Sequence, residues 1–248
     1  MYSQILHATG KSRLPVKKAS ARENRLLSAL PSKDRNRLLA LCEPVDLEFS
    51  ETLYRSGDRI ERVYFPIDSL ISLVTPIDGQ PALEVGMIGN EGMLGITLML
   101  GVNDSPLHAL VQGAGRALRM DKASFRRELG ICVSLQRRLN RYLYVLLSQF
   151  AQTAACTRFH VVEARLARWL LMTRDRTHAD VLHLTHEFLA YMLGVRRVGI
   201  TEAATSLQNL GLIHYSRGDI TIVDRIGLEK VACSCYAADK QSYERNLG

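Results

Sequence analysis

The sequence predicts an α+β chain in three successive parts: a β-rich barrel or sandwich, one long helix, and a helical unit ended by a hairpin. Three observations carry this. From Pro44 to about Met120, short β-rich pieces alternate with turn signals. The segment 124–160 has no proline and, after Gly130, no glycine. From Leu184 to Val223 the pattern runs helix, glycine turn, helix, two alternating strands.

Residues 1–20 show no apolar periodicity, so a flexible arm is expected over 1–22. Asn24–Leu30 and Ser32–Cys42 read as two short helices separated by Pro31. The strand candidates VYF (63–65), SLISLV (69–74) and ALEVGMI (82–88) lie between turns at Ser56-Gly57-Asp58, Pro66, Asp78-Gly79 and Gly89-Asn90. Strands at this spacing fit a barrel or sandwich over 23–124.

A long helix follows over 125–160. Leu135, Leu139, Tyr142, Leu146, Gln149, Thr153 and Cys156 recur at alternating spacings of four and three, an a/d seam. Two readings fit: a dimer interface built on Leu135, Leu139, Tyr142, Leu146, Gln149 and Thr153, or a helix lying on its own barrel. The dimer is the expectation, because the stretch is much longer than an average helix.

The remaining unit, 161–248, opens with the amphipathic Val162–Thr173. Thr185 is an N-cap and Glu187 complements the dipole of the first turn. Gly194 stops that helix in a tight turn, and a second helix runs from about Arg196 to Asn209 with Ile200, Ala203, Ala204 and Leu207 inward. Arg217-Gly218-Asp219 joins the last two strands. This is a winged helix-turn-helix, whose second helix presents Arg196, Arg197 and Thr201 toward a major groove. Arginine suits guanine because its fork meets O6 and N7 together.

Composition sets the outer limits. The 248 residues are 47% hydrophobic and 23% charged, which excludes a largely disordered or fibrous protein. The net charge of +7 is compatible with nucleic acid but weak support for it, since much of the excess lies in residues 1–25. The longest apolar run, Gly92–Val102, is too short for a bilayer span, which needs roughly 20 residues. With no secretory signal at the N-terminus and five scattered cysteines, a cytoplasmic protein with reduced thiols and no membrane partner is expected.

With these motifs in place, residues 25–235 resemble the Crp/Fnr family of bacterial transcription regulators. Gly194–Ile213 matches the family's recognition motif without a gap. The resemblance implies a cyclic-nucleotide-binding-like sensor barrel, a dimer helix, a hinge near Arg158–Val162, and regulation through RNA polymerase. It places Arg197 on the base-reading arginine, with Thr185, Arg196, Gly199, Thr201, Glu202 and the wing residue Arg217 as further contacts to double-stranded DNA. Val198 stands for a frequent glutamate and Glu202 for a second frequent arginine, so a different, near-palindromic operator is implied.

The effector cassette departs further. Gly92-Met93-Leu94-Gly95-Ile96 matches the phosphate-binding segment, yet Ile96 occupies the glutamate position and Pro106 falls at or near the phosphate-binding arginine. Burying a phosphate without a fixed cation is costly, so Gly95, Ile96, Thr97, Pro106, Leu107 and His108 form a degenerate pocket in which conventional cAMP binding is not expected. A different small ligand, such as a cyclic dinucleotide, is the alternative effector, and a winged unit serving protein contacts is the alternative function.

No cofactor is expected. Only Cys42 precedes residue 130, too few thiols for an N-terminal iron–sulfur cluster. His7 and His108 carry no haem signature. Cys233-Ser234-Cys235 lacks a visible second pair, and His178, His183 and His186 lack ligand spacing, so no metal site is expected. No nucleophile elbow, P-loop or dinucleotide fingerprint occurs, and no enzyme is expected.

Overall fold

The computed structural model describes residues 23–75 and 82–248. The expected arm over 1–22, with His7, and the Asp78-Gly79 turn lie outside them. Asn24 caps the first helix, α1 (Arg25–Ser28), by accepting the amide hydrogens of Leu26 and Leu27. After Pro31 comes α2 (Ser32–Leu39), three residues shorter than its apolar pattern.

Two antiparallel sheets follow. One has the order β1 (Glu43–Leu47), β7 (Gly115–Asp121), β3 (Arg62–Pro66), with Val45 opposite Ala117 and Phe65 opposite Leu118. The other has the order β2 (Thr52–Tyr54), β6 (His108–Gly113), β4 (Leu70–Thr75), β5 (Leu83–Ile88). Val63, Phe65 and Ala117 from the first sheet share one core with Ile71, Leu73, Ile88 and Val111 from the second. The run SLISLV is apolar without alternation because β4 is buried on both faces. Ile71 and Leu73 point into the barrel core, whereas Leu70 and Val74 join Met87 and Leu110 in a second core shared with the C-terminal unit.

The long helix differs from the expected single rod. Chain 122–159 is two helices, α3 (Lys122–Ile131) and α4 (Val133–Phe159), broken at Cys132, whose φ of −103° and ψ of 91° are extended. The seam residues also require a correction. Leu135, Leu139, Tyr142 and Leu146 are buried in the barrel's own core. Tyr142 donates to the Met93 carbonyl (3.2 Å), and the Gln149 side chain accepts the Met87 amide hydrogen (3.1 Å). The heptad pattern therefore marks the face on which α4 lies against its own barrel. The opposite face exposes Tyr144 (59%) and Leu147 (57%), with Ala151 and Ala154 in line at spacings of three and four.

The C-terminal unit begins with α5 (Val162–Thr177) and packs on the outer face of the second sheet. Where they meet lies a polar cluster. Trp169 Nε1 donates to Glu84 Oε1 at 2.9 Å, and Ser72 Oγ touches both Glu84 Oε2 (2.6 Å) and Gln112 Oε1. Burial pushes the Glu84 carboxyl up from 4.5 to about 7. Two buried ion pairs add to the joint: Arg176 with Glu91 and Arg168 with Asp239, each at 2.6 Å. Beyond the winged hairpin the chain forms α8 (Arg225–Val231) and α9 (Cys235–Leu247), the latter returning to pack along α4 and against Tyr142's neighbourhood through Leu247 and Tyr243. Among the described residues, no helix is long and apolar enough to cross a membrane.

Candidate nucleic-acid interface

Between α5 and α8 lie β8 (Val181–His183), α6 (His186–Leu193), α7 (Arg197–Asn209), β9 (Ile213–Ser216) and β10 (Asp219–Ile222). Thr185 caps α6, its hydroxyl accepting the Phe188 amide hydrogen at 3.1 Å. Gly194 ends α6 at φ 62° and ψ 42°, and a Cβ there would press on Leu83 of β5 at 3.1 Å. Glycine meets both demands, the left-handed turn and the close approach to the barrel.

Arg196 stands at the N-cap of α7 with φ −74° and ψ 145°, and its side chain makes no capping bond. Ile200, Ala203, Ala204 and Leu207 face inward. Arg196, Arg197, Val198, Thr201 and Glu202 are exposed on the opposite face, and Gly199 lies between with room for a side chain. The first turn of α7 thus carries two guanidiniums at the positive end of its dipole and no capping carboxylate. That arrangement favours an external anion.

The wing has three strands, in the order β8-β10-β9. Sequence reading found the hairpin but not β8, which is only three residues long and exposed at both ends. Ser216 pairs with Asp219 across a two-residue turn whose members, Arg217 (φ 53°) and Gly218 (φ 90°), are both left-handed. This is the twist that a two-residue hairpin turn requires, and it exposes Arg217 at the tip. At its base His183 Nδ1 and Asp219 Oδ1 lie 2.6 Å apart.

A histidine that sequence reading had weighed only as a metal ligand knits the parts together. His186 stacks on Tyr215 of the wing, with ring centroids 4.2 Å apart. Thr201 Oγ1 donates to the Arg197 carbonyl (3.1 Å), so it accepts from His186 Nδ1, also at 3.1 Å. Burial and then Arg197 lower the His186 pKa, keeping the ring neutral beside the arginines. The start of α6, the reading face of α7 and the wing are thereby held as one surface.

The segment around Gly95 and Ile96 packs into the barrel core. Gly95 has φ 95°, and a Cβ there would sit 2.9 Å from Val63 Cγ1. Ile96 is buried in the core, and the Thr97 hydroxyl is buried without a hydrogen bond. The Pro106 and Leu107 carbonyls accept from Ser56 Oγ (3.1 Å) and Ser105 Oγ (2.7 Å). His108 Nδ1 accepts the Ser56 amide hydrogen at 3.1 Å, and burial lowers its pKa, so at neutral pH it offers no positive charge to a phosphate.

The cysteines hold the last correction. Cys233 and Cys235 do have partners: Cys156 and His160, from the last turn of α4, meet them with all four ligand atoms within 4.8 Å of one another.

Residues 164–231 match the family of Crp-like helix-turn-helix domains. No curated protein matches the chain. Among solved structures, FixK2 from Bradyrhizobium japonicum is 15% identical with a TM-score of 0.66, covering 77% of this chain and 98% of its own. A Crp/Fnr-family transcriptional regulator from Eubacterium rectale is 16% identical with a TM-score of 0.66, over 84% of this chain and 99% of its own. The c-di-GMP-responsive global regulator CLP from Xanthomonas campestris is 17% identical with a TM-score of 0.64, over 77% and 99%. The chain therefore carries a Crp-like helix-turn-helix domain and has the fold of the Crp/Fnr transcription regulators.

Proposed function

We propose that this protein is a homodimeric, sequence-specific transcription regulator in which α7 reads the major groove. The observation that carries the reading is the exposed trio Arg196, Arg197 and Thr201 at the N-terminus of α7, braced by His186 and flanked by Arg217 on the wing. Arg197 reads guanine through its fork, Arg217 touches phosphate, and Thr185, Gly199 and Glu202 border the contact. The dimer forms through the face of α4 that the barrel leaves open, with Tyr144, Leu147, Ala151 and Ala154 against their symmetry mates. Two recognition helices then read half-sites about 34–36 Å apart. RNA polymerase is the partner through which the bound dimer acts.

The signal is not cAMP in its usual site, because Ile96 fills the cassette and Pro106 supplies no cation. A different effector acts at the joint between barrel and winged unit, and the similarity to a c-di-GMP-responsive regulator makes a cyclic dinucleotide the first compound to try. Selection from a random duplex pool, followed by footprinting, tests the proposal. A two-fold site whose preference at one base position relaxes in Arg197→Ala supports it. An unenriched pool contradicts it and favours a winged unit that contacts protein.

A further inference from the structure

We infer that Cys156, His160, Cys233 and Cys235 form a tetrahedral binding site for a zinc-type divalent cation, which clamps the end of α4 to the segment between α8 and α9. Cys156 lies in the last turn of α4 and His160 caps that turn, its amide donating to the Cys156 carbonyl at 3.1 Å, which brings the two side chains to the same end of the helix. Cys233 and Cys235 flank Ser234, where α8 has ended and α9 begins. Cys156 Sγ lies 3.5 Å from Cys233 Sγ, and Cys235 Sγ lies 3.4 Å from His160 Nδ1. Zinc bonds of ~2.3 Å to sulfur and ~2.0 Å to nitrogen, arranged tetrahedrally, put neighbouring ligand atoms roughly 3.5–3.8 Å apart. The protein holds the ligands near that spacing.

The donor set selects the ion. Three sulfurs and one imidazole suit zinc rather than magnesium or calcium, which take oxygen. All three cysteines are buried and the four protein ligands complete a tetrahedron, so the site is of the closed, structural kind. Its surroundings suit a thiolate centre as well. Gln152 Nε2 donates to Cys235 Sγ at 2.9 Å, and the guanidiniums of Arg165 and Arg168 act on Cys156. A dication on three thiolates leaves one net negative charge, which those arginines face. The site joins two stretches of chain 77 residues apart, at the point where α4 hands over to the winged unit.

The full chain, purified under reductant without chelator, is assayed for metal by mass spectrometry. It is then stripped with a chelator and titrated with cobalt(II). The expected result is one zinc per chain and, on titration, the charge-transfer and intense d–d absorption of a tetrahedral cobalt thiolate, saturating at one equivalent and displaced by zinc. Metal should protect three of the five thiols from a thiol reagent and raise the melting temperature of the stripped protein. Cys42→Ser should keep the absorption, and the double variant Cys233→Ser/Cys235→Ser should lose it. Reduced, stripped wild-type protein that takes up no cobalt overturns the inference, whether or not the double variant folds. So do a metal-free chain linked by a Cys156–Cys233 disulfide and a double variant that keeps the cobalt spectrum.

Discussion

Replacing Glu84 by Gln should remove a pH dependence of stability that originates where the barrel meets the winged unit. Glu84 is buried between Ser72 and Trp169, and its carboxyl is pushed up from 4.5 to about 7, chiefly by burial. The hydrogen count agrees with a neutral carboxyl. Ser72 has one hydroxyl proton and touches both Glu84 Oε2 and Gln112 Oε1, and a protonated Glu84 that donates to Ser72 frees that proton for Gln112 and satisfies both contacts. Because the folded pKa is raised, the stabilisation is complete below pH 4.5 and is lost as pH climbs through about 7. At 1.36 kcal/mol per tenfold change the full effect is about 3 kcal/mol, of which about 2.5 falls between pH 5 and 8. Trp169, the single tryptophan, sits on the carboxylate and reports locally. Urea unfolding followed by its fluorescence at pH 5, 6, 7 and 8 should show the wild type weakening relative to Glu84→Gln by about that amount. Parallel profiles for the two proteins would refute the argument.

Three further outcomes are expected. Arg197→Ala should cost about 1–3 kcal/mol per half-site and relax one base position; Arg217→Ala should weaken all duplexes alike and lower the salt slope by about one, and equal base preference in both variants by footprinting would exclude Arg197 as a reader. Leu147→Glu should give folded monomers by sedimentation, with a melting temperature lowered only by the lost association and no longer dependent on protein concentration, whereas Leu139→Glu, which buries a charge in the barrel core, should cost several kcal/mol; a Leu147→Glu dimer would move the interface elsewhere. Millimolar cAMP should leave the melting temperature unshifted, and a rise of several degrees that disappears on altering Ile96 would overturn the account of the filled cassette.

What the sequence revealed follows from how local each signal is. The turn at Gly194, the cap at Thr185 and the hairpin at Arg217-Gly218 depend on residues within a few positions of each other, and each recurs in the structure. The α4 periodicity was equally clear but could not say which surface it met, because a seam against the chain's own barrel and a seam against a second copy have the same spacing. The residues expected at a dimer seam lie on the face that the barrel covers. The break at Cys132 follows Gly130 by two residues, but a single glycine inside a helical pattern does not mark it as an end. His186 and the Cys156–His160–Cys233–Cys235 group were illegible for a plainer reason: their partners lie 15 and more than 70 residues away and meet only through the packing of α6 on α7 in the first case and of α4 against the C-terminal segment in the second. The departures at Ile96 and Pro106 are matters of residue identity alone and need no distant partner to be read.

The central claim is that this surface binds duplex DNA by sequence. Fluorescence anisotropy of a labelled duplex, titrated with the full chain over a series of salt concentrations, tests it most directly, using the selected site beside a scrambled duplex of equal length. Affinity should fall linearly in log salt for both duplexes, with the selected site bound about 10³-fold or more tightly throughout. A chain that binds neither duplex at low salt, or binds both equally well, contradicts the account.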